Sequence, residues 1–352
     1  MALCCNISTS SGRRALRCMW WLIATAVLVT VPIIFWVWMR NGWKYELLAW
    51  IISGIFVLLS VPMTVYQVAM HYENYTKPQY QRRIIRILWM VPIYGLCSWF
   101  SLRFKDAEMY LDTAREFYEA FVIYNFYMFL IVFLEETFGP SSGGGDQTYG
   151  SLPKYLEETR VEVPHIWPLN RIFPPVQRPE NAKEHPFFRK CKNGVMAYVI
   201  WRPLSASIAF WASGKGLFFS SQHPLRPDRF YVWLALTNST TQCWAMYCLI
   251  WLYITMHDEL EQTRPCLKFV CVKAVVFMSF WQSIVIMILV QFDILTPSDL
   301  APHRDPGEQP SKAELATALN NVLICLEMFL AALAHANAFP AKEYYPPEPL
   351  TP

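Results

Sequence analysis

The chain has 352 residues, of which 54% are hydrophobic and only 16% charged, with a formal net charge of +3. A soluble domain carries about 25% charged residues, so the composition points away from an ordinary soluble globule, and the small net charge gives no footing for nucleic acid. Ten cysteines show no paired CxxC spacing, which removes the usual zinc patterns.

Taken in chain order, residues 1–18 read as a cytosolic N-terminal segment. Cys4 and Cys5 in it are candidates for acylation ahead of a membrane span. Arg13, Arg14 and Arg17 then precede Cys18–Met39, 22 residues without a charge. That is beyond the apolar length of a signal peptide, and no Ala-x-Ala-like site follows it. It is enough to cross a bilayer core, which needs roughly 20 apolar residues. The spacing predicts an additional N-terminal transmembrane helix over 19–39.

Seven further spans are expected. Leu47–Met70 is 24 uncharged residues. Ile84–Leu102 follows Arg82 and Arg83, with Arg86 placed to snorkel outward. Glu116–Leu134 opens on two acids and then runs clean. Val195–Trp211 carries one charge, Arg202. Phe230–Met256 is 27 uncharged residues and Ala274–Phe292 is 19. Leu315–Phe339 carries one charge, Glu327. Trp and Tyr crowd several run ends, where amphipathic rings favour the headgroup layer. Between the fourth and fifth spans, 139–190 holds a Ser/Gly linker and then Pro164, Pro168, Pro174, Pro175 and Pro179. It reads as a mobile cytosolic loop. Residues 341–352 read as a short Pro-rich cytosolic tail.

With eight spans and the N-terminus inside, cytosolic segments hold eighteen basic residues against ten on the other side. That bias sets both termini in the cytosol. Asn6, Asn74 and Asn238 lie in glycosylation sequons that this topology leaves unmodified.

Charges in a bilayer core usually face the bundle interior and have a partner or a function. Arg202 is placed some eight residues into the fifth span. Glu327 is near the middle of the eighth, and Asn320, seven residues earlier, shares its face. Two readings stand side by side. Either Arg202 binds an anionic substrate while Glu327 and Asn320 form a cation or proton site, or Arg202 and Glu327 pair and hold the bundle together. In the sixth span Thr237–Gln242 is six consecutive polar residues, with Asn238 and Gln242 one turn apart. They suggest a water-lined cavity or an unwound turn. Gln282 is expected to point inward in the seventh span, and Lys273 at its start can snorkel to headgroups. In the fourth, Arg115 and Glu119 are i, i+4, and Asn125 lies near the centre. There is no Walker A loop, no HExxH, no Gly-x-Ser-x-Gly and no matched pair of mid-membrane carboxylates. No enzyme activity, cofactor or metal is expected.

Several stretches carry a family resemblance: Val91-Pro92-Ile93-Tyr94 with Ser98-Trp99; Arg115-Glu116-Phe117-Tyr118-Glu119-Ala120 continuing through Val122-Ile123-Tyr124-Asn125-Phe126; Arg202-Pro203; Lys268-Phe269 with Val272-Lys273 and Ser279-Phe280-Trp281-Gln282; and Ile324-Cys325-Leu326-Glu327-Met328-Phe329 leading to Ala334-His335. On these the chain resembles the transmembrane protein 184 family, in its C-type branch, related to the alpha subunit of the organic solute transporter. The resemblance implies an all-α polytopic membrane bundle, a seven-helix core over 47–340 plus the extra helix, in the plasma membrane or an endomembrane. It also implies transport of amphipathic organic solutes such as steroid conjugates and bile-acid-like anions. The partners it implies are the bilayer and a small single-span subunit or a second copy of the chain. Three positions depart from the family pattern: Cys97 replaces an acid before Ser98-Trp99, His335-Ala336-Asn337 replaces Ala-His-His, and Pro164–Pro168 replaces a cysteine run. The competing reading is a seven-helix receptor or signalling and trafficking scaffold working through the cytosolic loop.

Overall fold

The structure, a computed structural model, describes residues 45–138, 162–167, 169–177, 186–214, 230–257, 271, 278, 281–295 and 311–345. The segment 1–18 with Cys4 and Cys5, the helix expected over 19–39, Lys273 and the tail beyond 345 lie outside the described residues. So do residues 139–161.

The apolar runs become helices whose ends reach past the runs themselves. Helix α1 is Tyr45–Glu73 and carries Pro62 in its interior. A proline there releases one backbone carbonyl a turn earlier, which membrane bundles tolerate. Helix α2 is Pro78–Leu88, with Pro78 at its first position, where the missing N–H bonds nothing anyway. Helix α3 is Met90–Arg103. Together α2 and α3 form one candidate span, Pro78–Arg103, where a single span was expected over Ile84–Leu102, and it is interrupted at Trp89. The cause is Pro92, which has no N–H to give to the Leu88 carbonyl four residues back. Helix α4, Glu108–Phe138, starts eight residues before the expected fourth span.

Residues 162–177 lie within the stretch expected to lack regular structure. They form an antiparallel pair, β1 Glu162–Val163 with β2 Val176–Gln177, in the register Glu162 to Gln177 and Val163 to Val176. A 3-10 turn at Leu169–Arg171 lies between the strands. Helix α5 is Pro186–Gly214 and α6 is Phe230–Thr255. Helix α7 is described over Trp281–Gln291. It closes with Asp293 in the left-handed region at φ 55°, while Ile294 N–H reaches back to the Leu289 carbonyl at 3.0 Å and Asp293 N–H to that of Val290 at 3.4 Å. This is a Schellman stop, and it ends α7 where the apolar run ends. Helix α8 is Lys312–Ala338, opened by a reciprocal cap between Ser311 and Glu314.

Among the described residues five helical segments are long and apolar enough to cross a membrane: Leu47–Glu73, Pro78–Arg103, Lys105–Leu134, Pro186–Ala212 and Glu314–Tyr344. The protein is thus an all-α membrane protein apart from the short β1–β2 pair. Helix α6 has the length, but its polar run lowers its hydropathy.

The chain divides into two compact units, residues 1–115 with 267–352, and residues 116–266. In the first, α1, α3 and α8 pack on one another. Their core is apolar, with Met90, Val91, Tyr94, Ile324, Cys325 and Met328 all buried. Gly54 makes room for an indole: a Cβ there would stand 2.8 Å from Trp99 Nε1. That indole instead stacks on Trp50 at 5.2 Å and donates to the Trp50 carbonyl at 2.9 Å. In the second unit α5 and α6 pack together. Gly194 of α5 faces α6 closely: a Cβ there would overlap Cys248 Sγ and lie 3.0 Å from Trp244 Nε1. Small residues at such crossings let membrane helices pack without a hydrophobic driving force.

Candidate functional site

A cluster of polar side chains lies within the second unit, on α4, α5 and α6. Each helix presents two residues one turn apart: Glu116 and Glu119, Tyr198 and Arg202, Asn238 and Gln242. The i, i+3 and i, i+4 spacings put each pair on one helix face. Arg202 Nη2 binds Glu116 Oε1 at 2.7 Å. Glu119 Oε1 accepts from Tyr198 Oη at 3.2 Å and from Gln242 Nε2 at 2.5 Å. Glu119, Tyr198, Arg202 and Gln242 are all buried. Glu116 is more open, its side chain 38% exposed, so the ion pair has one accessible partner. The Asn238 Oδ1 atom is buried and has no hydrogen-bond partner among the described residues.

Local backbone chemistry supports this arrangement. Pro203 withholds an N–H from the Val199 carbonyl, one turn before Arg202. Ser205 Oγ donates to the Arg202 carbonyl at 2.9 Å and Ser207 Oγ to that of Pro203 at 2.9 Å. Helix α5 starts nine residues before the expected Val195, because its first turns carry Arg189, Lys190, Lys192 and Asn193, which no apolar run registers. Arg202 is therefore about 24 Å along the helix from Pro186 by rise.

The polar run of α6 is helical throughout, so the unwound turn is not found. The hydroxyls of Thr237, Thr240 and Thr241 bond carbonyls of their own helix at 2.8 to 3.0 Å. That satisfies them locally and leaves Asn238 and Gln242 as the residues that face other helices. Asn125 is fully buried and its Nδ2 donates to the Phe121 carbonyl at 2.7 Å.

The first unit holds a second, amide-rich set. Arg115 Nη1 donates to Ser98 Oγ at 2.9 Å and to Asn321 Oδ1 at 3.2 Å, and Nη2 lies 3.2 Å from Asp112 Oδ1. Asn321 Nδ2 in turn donates to Ser101 Oγ at 3.2 Å. Gln282 does turn inward: its Nε2 donates to Asn320 Oδ1 at 2.9 Å, joining α7 to α8. Glu327 is half-buried, and its Oε2 has no hydrogen-bond partner among the described residues. Two turns on, His335 is fully buried with both ring nitrogens in the same condition. Among the described residues no three His, Cys, Asp or Glu side chains gather as a metal would require.

The structure thus brings together Glu119, Gln242 and Arg202 with two residues the sequence reading left out of the site, Glu116 and Tyr198. It separately joins Gln282 to Asn320. Arg202 pairs with Glu116 inside one unit, while Glu327 belongs to the other. The spacing of Tyr198 before Arg202, and of Glu116 before Glu119, was the available signal.

Comparison with known proteins bears on what such a site serves. The family described as organic solute transporter Ostalpha matches residues 49–344. A transmembrane protein 184 homolog of Dictyostelium discoideum is 30% identical over 295 residues, which cover 83% of this chain and 52% of that relative. The chain spans about half the length of that curated relative. No solved structure matches.

Proposed function

This chain belongs to the organic solute transporter Ostalpha family, and from that premise we propose that it moves amphipathic organic anions, of the steroid-conjugate and bile-acid type, across the membrane without chemical change. The observation that carries the proposal is the Arg202–Glu116 pair beside the Glu119 acceptor. A buried guanidinium held by a half-open carboxylate is a site where an incoming anionic group can replace Glu116 at the fork. The net charge of the cluster then changes by exchange, not by stranding a charge in low dielectric. Glu119 keeps Tyr198 and Gln242 fixed, so the frame around Arg202 is pre-organised before a ligand arrives.

The same reading takes the family core as seven helices over 47–340 with one further helix before it, and both termini in the cytosol. It takes a small single-span partner as the working assembly, with a second copy of the chain as the other arrangement. The test is uptake of labelled steroid sulfates and bile acids into vesicles holding the purified protein, with and without a candidate small partner. Arg202→Gln should abolish uptake while the protein remains folded. Full uptake by that variant rules out the binding role of Arg202. A scaffold that signals through its loop would show no uptake under any condition.

A further inference from the structure

The β1–β2 hairpin is tied to the membrane end of the second unit, yet its tip is apolar and open. The tie is an aromatic clasp. His165 stacks on Trp251 with ring centroids 4.2 Å apart, and its Nδ1 lies 2.8 Å from Tyr247 Oη. Trp251 Nε1 donates to the Pro164 carbonyl at 2.8 Å, and Ile166 N–H donates to Tyr247 Oη at 3.3 Å. Trp251 also meets Phe187 edge-on at 4.6 Å. Phe187 is the second residue of the candidate span Pro186–Ala212, so the clasp fixes the hairpin at the N-terminal end of that span.

Beside the clasp the hairpin carries Trp167, Ile172 and Phe173, which are 70%, 72% and 49% exposed, the Phe173 ring also lying 5.7 Å from that of His165. Three large apolar side chains within the seven residues 167–173 are not what a water-facing loop presents. Arg171 lies between them and is exposed, and Arg189, Lys190 and Lys192 are exposed on the adjoining first turns of α5. An aromatic and aliphatic tip flanked by basic side chains, held at the N-terminal end of a candidate span, matches the headgroup layer of an anionic leaflet. The rings and the isoleucine enter the acyl boundary, while the basic groups meet phosphate and carboxylate.

We propose that the 162–177 hairpin is a membrane-interface anchor, its tip of Trp167, Ile172 and Phe173 seated in the headgroup region of an anionic lipid surface. The anchor is separate from the transport site. Through Trp251 and Tyr247 it connects the lipid surface to α6, the helix that carries Gln242.

The test uses the full chain in vesicles of phosphatidylcholine alone or with phosphatidylserine. An environment-sensitive fluorescent amino acid is introduced at position 172. Brominated lipids should quench it, iodide present on both sides of the membrane should not, and phosphatidylserine should shift its emission further to the blue. Arg171→Gln with Lys190→Gln should remove the phosphatidylserine increment and leave the bromolipid quenching. Quenching by iodide but not by bromolipid would place the tip in water and overturn the proposal. Quenching by neither would place it under protein, which also overturns it. A response identical in the two lipid mixtures would refute the anionic preference.

Discussion

Glu119 is the position where the structure makes the sharpest energetic statement. One carboxylate oxygen takes two buried donors, Tyr198 Oη and Gln242 Nε2, from two other helices. In Glu119→Leu both donors lose their acceptor in a low-dielectric interior. Each buried group left unsatisfied costs about 1–3 kcal/mol, so two give about 2–6 kcal/mol. Measured polar couplings between membrane helices average nearer about 0.6 kcal/mol each, because the unfolded helices also find partners. The value expected for Glu119→Leu is therefore about 3 kcal/mol, between those bounds. Glu119→Gln keeps a carbonyl oxygen and should lose about a third of that. The argument has an internal control. Adding Tyr198→Phe and Gln242→Leu removes the stranded donors, and the triple variant should recover most of the stability, since replacing all partners by apolar groups is nearly neutral. The assay is reversible unfolding of the purified protein in bicelles by a denaturing detergent. A Glu119→Leu variant within about 0.5 kcal/mol of the parent, the range of an inert surface change, would refute the claim that this acceptor holds α4, α5 and α6 together.

Two further outcomes follow from the second unit. Gly194→Ala should destabilise by about 1–3 kcal/mol through overpacking against Cys248 and Trp244, and Cys248→Ala should relieve most of it; bicelle unfolding of the double variant decides. The hairpin clasp should weaken on acidification. Burial among rings, with Lys190 nearby, holds His165 below the ordinary histidine value. Above about pH 6.5 the docked and undocked forms are both neutral there and docking is complete. As pH falls below that value the undocked form takes the proton first, so docking weakens until the docked imidazole itself titrates. Limited proteolysis between residues 169 and 173 should accelerate from pH 7.5 to 5.5 in the parent and stay flat in His165→Phe.

Much of the fold was legible because bilayer thickness forces long apolar runs into helices. Five segments of the expected set appear where the runs are, and α6 follows its run to within a residue. What the runs could not show were the polar first turns of α5 and the break at Trp89. A hydropathy reading is blind to charged residues that continue a helix into the headgroups, and to a proline's effect four residues upstream. The site was legible in its types and not in its partners. Arg202, Glu119 and Gln242 stood out as polar groups in apolar helices. Which carboxylate meets Arg202 depends on helix packing, and no one-dimensional pattern encodes that. The aromatic clasp at His165 was hidden for a related reason: Pro164-His165-Ile166-Trp167-Pro168 has no periodicity, and its order comes from contacts with Tyr247 and Trp251, some eighty residues away in sequence.

The motif Arg115-Glu116 gains a specific meaning from these contacts. Neighbouring residues on a helix point about 100° apart, so adjacent charges of opposite sign are poor partners for one another. Here each looks elsewhere: Arg115 to Ser98, Asn321 and Asp112 in the first unit, Glu116 to Arg202 in the second. The pair is thus two independent anchors that happen to be consecutive, one serving an amide and hydroxyl network, the other setting the charge of the candidate site. Independence is measurable. Arg115→Met removes donors to Ser98 and Asn321, while Glu116→Gln removes the carboxylate from Arg202 but leaves it a hydrogen-bond acceptor. If the two act separately, the stability changes should add to within about 0.5 kcal/mol, as they do for sites without shared partners. Only Glu116→Gln should change anion uptake, by freeing the Arg202 fork. A coupling above about 1 kcal/mol, or loss of uptake in Arg115→Met at full folded yield, would mean that the two charges act as a single pair.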